Sequence, residues 1–154
     1  FKVTIQRKVL TRRGLLSMVS SIYDPLGILS PIILPVKGIL QELCERKHGW
    51  DDDMPEPLVR KWEQWVIHLH KLSELEMRRC VKTHDFGAAT EARLHHFSDA
   101  SERGYGTCTY LVLKNEKHEV QCSFIMGKAR VSPLKPVTIP RLELTAATVA
   151  AKMD

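Results

Sequence analysis

The sequence is short of several things that would place it quickly. No run of apolar residues approaches the roughly 18 that a membrane-spanning helix needs. The amino-terminal "FKVTIQRKVLTRRG" lacks the charged start, apolar centre and small-residue cleavage site of a secretory leader. It also lacks an initiator Met, so the chain reads as a fragment, with an intracellular setting, a cytoplasmic particle or the nucleus, as the expectation. None of the four cysteines, Cys44, Cys80, Cys108 and Cys122, belongs to a C-x-x-C pair, which favours reduced thiols over a disulfide framework. Cys44 with His48 and Cys80 with His84 repeat a C-x-x-x-H spacing that can supply zinc ligands. One helical turn gives the same spacing, and that is the reading adopted. There are no internal repeats and no low-complexity tracts.

What is present is ordinary for a globular chain: 154 residues, 44% hydrophobic and 27% charged, enough to bury a core. The net charge of +5 is spread evenly, with 14 basic and 11 acidic residues in 1–90 and 9 and 7 in 91–154. That balance permits a polyanionic partner without requiring one.

The first half reads as helical. "RGLLSMVSSIY" (13–23) sets Leu15, Leu16, Val19, Ile22 and Tyr23 at helical spacing, and "DPLG" breaks the pattern. Ser30-Pro31 predicts an N-cap and first helical residue. Ile33, Val36, Leu40 and Leu43 then line one face to about Lys47, with a kink expected at Pro35. A third helix is predicted from a capping box of Asp53 and Glu56, with Leu58, Trp62, Trp65, Leu69 and Leu72 as its apolar stripe. "DDD" at 51–53 invites comparison with the paired aspartates of polymerases. Its flanks, "ERKHGW" and "MPEP", are not apolar strands, so capping is the better account.

Near residue 80 the pattern changes. "VKTHDFGAATEA" (81–92) reads as a linker, followed by strands at about 93–99, 104–113 and 118–128. In the third, Val120, Cys122, Phe124 and Met126 alternate with polar residues, the period of a half-buried strand. "KNEK" (114–117) is a polar hairpin turn. After "VSPLKPVTIP", Thr138 is the expected cap of a last helix with Pro140 in its first turn. The predicted class is α/β of the α+β kind: three helices, a linker, three antiparallel strands and one helix on the sheet.

Two acidic residues stand out. Glu143 has only Ile139, Pro140, Ala146 and Ala147 one turn away, so no ion pair forms along its own helix. The helix is apolar almost all round and predicted to be largely buried, where a lone carboxylate is costly unless given a cation. Arg141 at the helix edge is the alternative partner. Asp99 ends the first strand on the face of Phe97, which is expected to point into the core, and is followed by the small residues Ala100 and Ser101. A turn aspartate is the simple reading of Asp99 alone. Together the two carboxylates suit a hard Mg²⁺ ion. Lys128, Arg130, Lys135 and Arg141 approach the last helix and are candidates for phosphate contacts. A solvated basic loop accounts for any one of them equally well.

"LHHFSDAS", "GKARVSPLKPVTIPRLELTAA", "SSIYDPLGILSP" and "HGWDDDMPEPLVRKWEQW" resemble, in order and over essentially the whole chain, the polyprotein of BEL/Pao-type LTR retrotransposons. The resemblance implies that residues 1–85 are a helical reverse transcriptase thumb/connection segment, 86–92 a linker, and 93–154 the amino-terminal half of an RNase H-like domain. It implies catalytic, Mg²⁺-binding roles for Asp99 and Glu143, with Mn²⁺ as a substitute ion. The partners it implies are an RNA/DNA hybrid and the remainder of the Pol polyprotein, with no membrane. The chemistry would be hydrolysis of RNA in the hybrid, the RNA being told from DNA by shape and 2′-hydroxyls.

Such a site also needs an aspartate at the end of a fourth strand and a further acidic residue, and the sequence stops at Asp154, before that strand. The expectation is that this stretch alone does not cut. Two readings follow: part of a nuclease active only in a longer chain, or a truncated or domesticated remnant that binds nucleic acid or connects domains. The same polyproteins carry an aspartic peptidase, whose Asp-Thr-Gly or Asp-Ser-Gly signature is missing, since Asp99 precedes Ala-Ser.

Overall fold

Helix α1 (Arg12–Ser21) begins where Thr11 turns its hydroxyl onto the amide of Gly14, 3.2 Å away, an N-cap that satisfies one orphan donor of the first turn. The protein is described by a computed structural model covering residues 10–70, 76 and 80–153, the side chain of His70 aside. Its further elements are α2 (Ser30–Glu45), α3 (Glu56–His70), β1 (Ala89–Ala100), β2 (Gly104–Asn115), β3 (Val120–Val131) and α4 (Ile139–Ala151). The mixed class of helices and a three-stranded antiparallel sheet, ordered β1-β2-β3, is as predicted. The chain forms two compact units, Phe1–Pro25 with Leu29–Glu76 and Leu26–Ile28 with Met77–Asp154.

In the helical unit, α2 packs on both α1 and α3. The buried side chains of α1 are Leu15, Met18 and Val19, the i, i+3, i+4 set. Leu16 and Tyr23, expected on that face, are exposed, Tyr23 by 83%. In α2 the buried set is Ile33, Val36, Ile39 and Leu43, with Ile39 in the place expected for Leu40. Pro35 lies within a helix assigned without interruption. Ser30 is not the cap: Leu29 takes that position, and its amide donates to the carboxylate of Asp24 at 2.8 Å. The α3 stripe of Leu58, Trp62, Trp65 and Leu69 is buried as expected, while Leu72 lies outside the described residues. Trp62 and Trp65 stack at 5.0 Å, and the Trp65 indole donates to the carbonyl of Ile32 at 2.6 Å.

The capping box at Asp53 is not formed. Asp53 instead bridges to Thr11 in the backbone, and Met54 N–H donates to the carbonyl of Leu10. Asp52 accepts from Gly49 N–H and Asp51 takes both arms of Arg13. Asp51 and Asp53 therefore fasten the 48–54 loop to the start of α1, while Asp52 closes the loop on itself, beneath Arg12 stacked on Trp50.

In the sheet unit the strands are longer than predicted. β1 starts at Ala89, and His84–Phe86 forms a short 3-10 helix with Phe86 buried, so the stretch read as a linker is largely structured. The β2–β3 turn centres on buried Asn115, whose amide donates to the carbonyl of Phe86 (2.8 Å) and to Glu119 (2.6 Å). Registers of Phe97 with Cys108, Asp99 with Gly106, and Tyr110 with Phe124 place these residues on one face, because directly opposed residues share a side. Thr107, Thr109 and Leu113 of β2, all buried, belong to the other face. α4 packs against β1 and β2 and buries Leu142, Ala146 and Ala150.

Three expectations fail here. Phe97 is 57% exposed, not in the core. Met126 does not share a face with Phe124, because a bulge at Ile125 shifts the register so that Met126 opposes Thr109. α4 buries one stripe rather than its whole circumference: Glu143, Thr145, Ala147 and Thr148 are exposed and Leu144 is 69% exposed.

Candidate functional site

Asp99 sits one residue from the end of β1, exposed and opposite Gly106. The turn that follows is fixed by backbone and hydroxyl bonds. Ser101 N–H and its hydroxyl both donate to the carbonyl of Gly104, at 2.8 and 3.0 Å. Ser132, from the segment between β3 and α4, closes it further. Its amide donates to the carbonyl of Arg103 (3.1 Å) and its hydroxyl to that of Ser101 (3.1 Å). The aspartate is thus carried on a rigid corner with small neighbours. Sequence reasoning missed Ser132, because its partner lies 31 positions away and its own neighbours carry no signal for the contact.

Glu143 lies in the second turn of α4, the helix that packs on β1. Since it is exposed, hydration stabilises its charge, and the argument that a buried carboxylate demands a cation no longer applies. Arg141 does not pair with it. The ion pairs among the described residues are Arg13–Asp51, Arg46–Glu42, Arg60–Glu56, Lys61–Glu42 and Arg93–Glu91. Asp99 and Glu143 therefore stand on two packed elements as unpaired carboxylates. Alternation along β1 puts Asp99 at the end of the open row of the sheet, with Phe97, and not in the covered row.

No cluster of three or more His, Cys, Asp or Glu suited to a metal occurs among the described residues. Two carboxylates suit Mg²⁺, which is commonly held by one or two such groups with water and substrate phosphate completing its octahedron. They do not make a closed protein cage.

The four candidate phosphate-binding cations are all exposed and outside every ion pair just named. Lys128 opposes Thr107 and Arg130 opposes Tyr105, so these two share a face of β3 two residues apart. Lys135 lies in the segment between β3 and α4, and Arg141 in the first turn of α4. Arg103, exposed in the β1–β2 turn, adds a fifth cation to this end of the sheet unit. It escaped the sequence reading because it lies outside the basic stretch before the last helix.

Two titrations in the helical unit are displaced. Asp51 is held below the usual carboxylate range by its hydrogen bonds from Arg13, whose own pKa is raised in return. Both groups are fully exposed, so the pair is a surface clasp and not a catalytic dyad.

Against known proteins, the model of a family described as the Pao retrotransposon-like RNaseH-like domain matches residues 11–154. No curated protein and no solved structure gives a significant match.

Proposed function

Because the chain belongs to the Pao retrotransposon-like RNaseH-like family, we propose that it contributes to Mg²⁺-dependent hydrolysis of RNA in RNA/DNA hybrids within a retrotransposon Pol polyprotein that also carries reverse transcription. The observation that carries this reading is the family match over residues 11–154; the chain adds to it two exposed carboxylates outside the ion pairs named above, Asp99 in the open row of β1 and Glu143 on the helix that covers the sheet's other face. Both are hard oxygen donors on regular elements, and the corner behind Asp99 is fastened by Ser101 and Ser132. A bound Mg²⁺ would supply activation of a water and charge stabilisation at the leaving oxygen. Lys128, Arg130, Lys135 and Arg141 would bind the phosphate backbone, a term that weakens steeply with salt.

A second reading, a non-cutting module that binds or connects, is favoured by one specific observation. The described residues offer no third acidic ligand, so the chain on its own is expected to be inactive. The test is cleavage of an RNA/DNA hybrid by a polyprotein containing this chain. Asp99→Asn or Glu143→Gln is expected to lower the rate by at least ~100-fold. Undiminished cleavage in both variants would remove these residues from the site. Mg²⁺-dependent cleavage by residues 1–154 alone would refute the expectation of inactivity.

A further inference from the structure

The row neighbours of Asp99 offer it no polar side chain. Its partner across the strand is Gly106, and beyond Gly106 lies Ala129. A Cβ on Gly106 would stand 3.2 Å from the carbonyl oxygen of Lys128, closer than ordinary contact, which keeps this position bare. The carboxylate is therefore placed by the main chain that carries it. That chain is fixed at the β1–β2 turn, two residues further on.

Ser132 closes this turn from outside. Val131 pairs with Gly104 as the last rung between β2 and β3. Ser132 carries the bonding one residue further, its amide donating to the carbonyl of Arg103 at 3.1 Å. Its hydroxyl then reaches past the turn to the carbonyl of Ser101, also at 3.1 Å. Pro133 has no N–H, so the ladder ends there, and it favours an extended backbone in the residue before it. Ser132 is buried, while Ser101, Glu102 and Arg103 are exposed. Water competes for the turn but not for the residue that ties it. The end of β3 is bound in this way to the turn that joins the ends of β1 and β2.

We infer that Ser132 is a positioning residue for Asp99, acting through Ser101: it holds the turn still, and with it the end of β1 that presents the carboxylate to a Mg²⁺ ion. This deepens the proposed function and rests on it. Groups that hold a metal's ligands in place are typically worth ~10–100-fold in metal affinity or activity. Ser132 acts at one remove from the carboxylate, so the low end, about 10-fold, is expected. The phosphate contacts are expected to be spared. Lys128 and Arg130 stand in the β2–β3 ladder and Arg141 in α4, so three of the four cations keep their places without the hydroxyl.

The test reads both cleavage and the turn itself. In hybrid cleavage by a polyprotein containing this chain, Ser132→Ala is expected to raise the Mg²⁺ concentration for half-maximal rate about 10-fold, with the KM for hybrid within ~3-fold of the parent. Ser132→Thr, which keeps the hydroxyl, is expected to stay within ~3-fold in both. A variant that is merely less stable loses active protein, and so loses rate at every Mg²⁺ concentration without moving the midpoint. In the chain itself, amide exchange at Ser101 and Ser132 is expected to speed about 5-fold in Ser132→Ala. Exchange at Asn115, whose amide bonds to Glu119 in the turn at the other end of the sheet, is expected to stay as it is, which shows the variant folded. A Mg²⁺ midpoint that does not move, or a Ser132→Thr variant that behaves as Ser132→Ala, overturns the proposal. So does unchanged exchange at Ser101. Asp99→Asn run alongside separates the two readings. If it cuts as fast as the parent, the metal-binding role of Asp99 falls and the positioning role falls with it. If it is impaired and Ser132→Ala is not, the positioning role alone falls.

Discussion

The helical unit and the sheet unit bury different chemistry. Leu15, Leu29, Val36, Leu43, Leu58 and Leu69 are all at most 1% exposed in the helical unit, and the polar indole nitrogen of Trp65 there is matched by a carbonyl. In the sheet unit the buried positions include Thr107, Thr109, Asn115 and Ser132, while Phe97, Val120 and Leu144 face solvent. The helical unit closes a leucine-rich core, although Leu16, Tyr23, Trp50 and Ile67 stay exposed. The sheet unit also buries polar side chains and fixes its turns with hydrogen bonds. A sheet has two faces and a helix one stripe, so three strands and a single helix leave a face over. The comparison teaches that one unit is closed mainly by apolar packing and the other also by hydrogen bonds to buried polar side chains.

The sharpest way to break this contrast is to cavitate the helical core. Leu58→Ala removes a fully buried side chain and is expected to cost about 2–5 kcal/mol. All three tryptophans, Trp50, Trp62 and Trp65, lie in the helical unit, so denaturant unfolding followed by tryptophan fluorescence reads that unit directly. A loss below about 1 kcal/mol would mean the core is less closed than its burial indicates. In the sheet unit the matching probe is polar. Asn115→Ala leaves the carbonyl of Phe86 without its donor and cuts the turn bonds to Glu119, a loss of about 1–3 kcal/mol. Hydrogen exchange should then speed at the β2–β3 turn and leave α2 and α3 unaffected.

The smallest effect belongs to the Arg13–Asp51 clasp. The folded pKa of Asp51 is depressed, so its contribution to stability is present above the ordinary aspartate pKa of about 3.9 and fades as pH falls through the lower folded value. For Arg13 the folded pKa is raised, so its share persists through neutral pH and is lost only at extreme alkalinity. Carboxyl titration by NMR should find Asp51 below the ordinary aspartate range, with the depression shrinking as salt is added.

Periodicity exposed much of this architecture. The α3 stripe, the three-strand meander and the last helix follow from residue spacing, because the 3.6- and 2-residue repeats are local properties. Which side of an element meets the rest of the protein is not local. Phe97 and Asp99 share a face, as alternation requires, but that face is the open one. Glu143 sits on an apolar helix, but the sheet beneath covers only one stripe of it. Asp53 and Glu56 have capping spacing, yet Thr11, 42 positions earlier in the chain, claims Asp53 for a backbone bridge. The carboxylates themselves were found by residue type and resemblance, and the energetic reason first given for Glu143 does not hold. Ser132 was invisible because its contacts join distant positions.

Leu26–Ile28 belong with the sheet although the chain on either side belongs with the helices. Leu26 presents its carbonyl to the amide of Gly127 at 2.8 Å. The border between the units is therefore crossed more than once along the gene, and no single recombination point separates them cleanly. An exchange between related elements at residue 77 would deliver a sheet without the tripeptide that lines its last strand. Inheritance of the two units is thereby coupled by three residues, and shuffling one of them alone carries a penalty that neither unit shows in isolation.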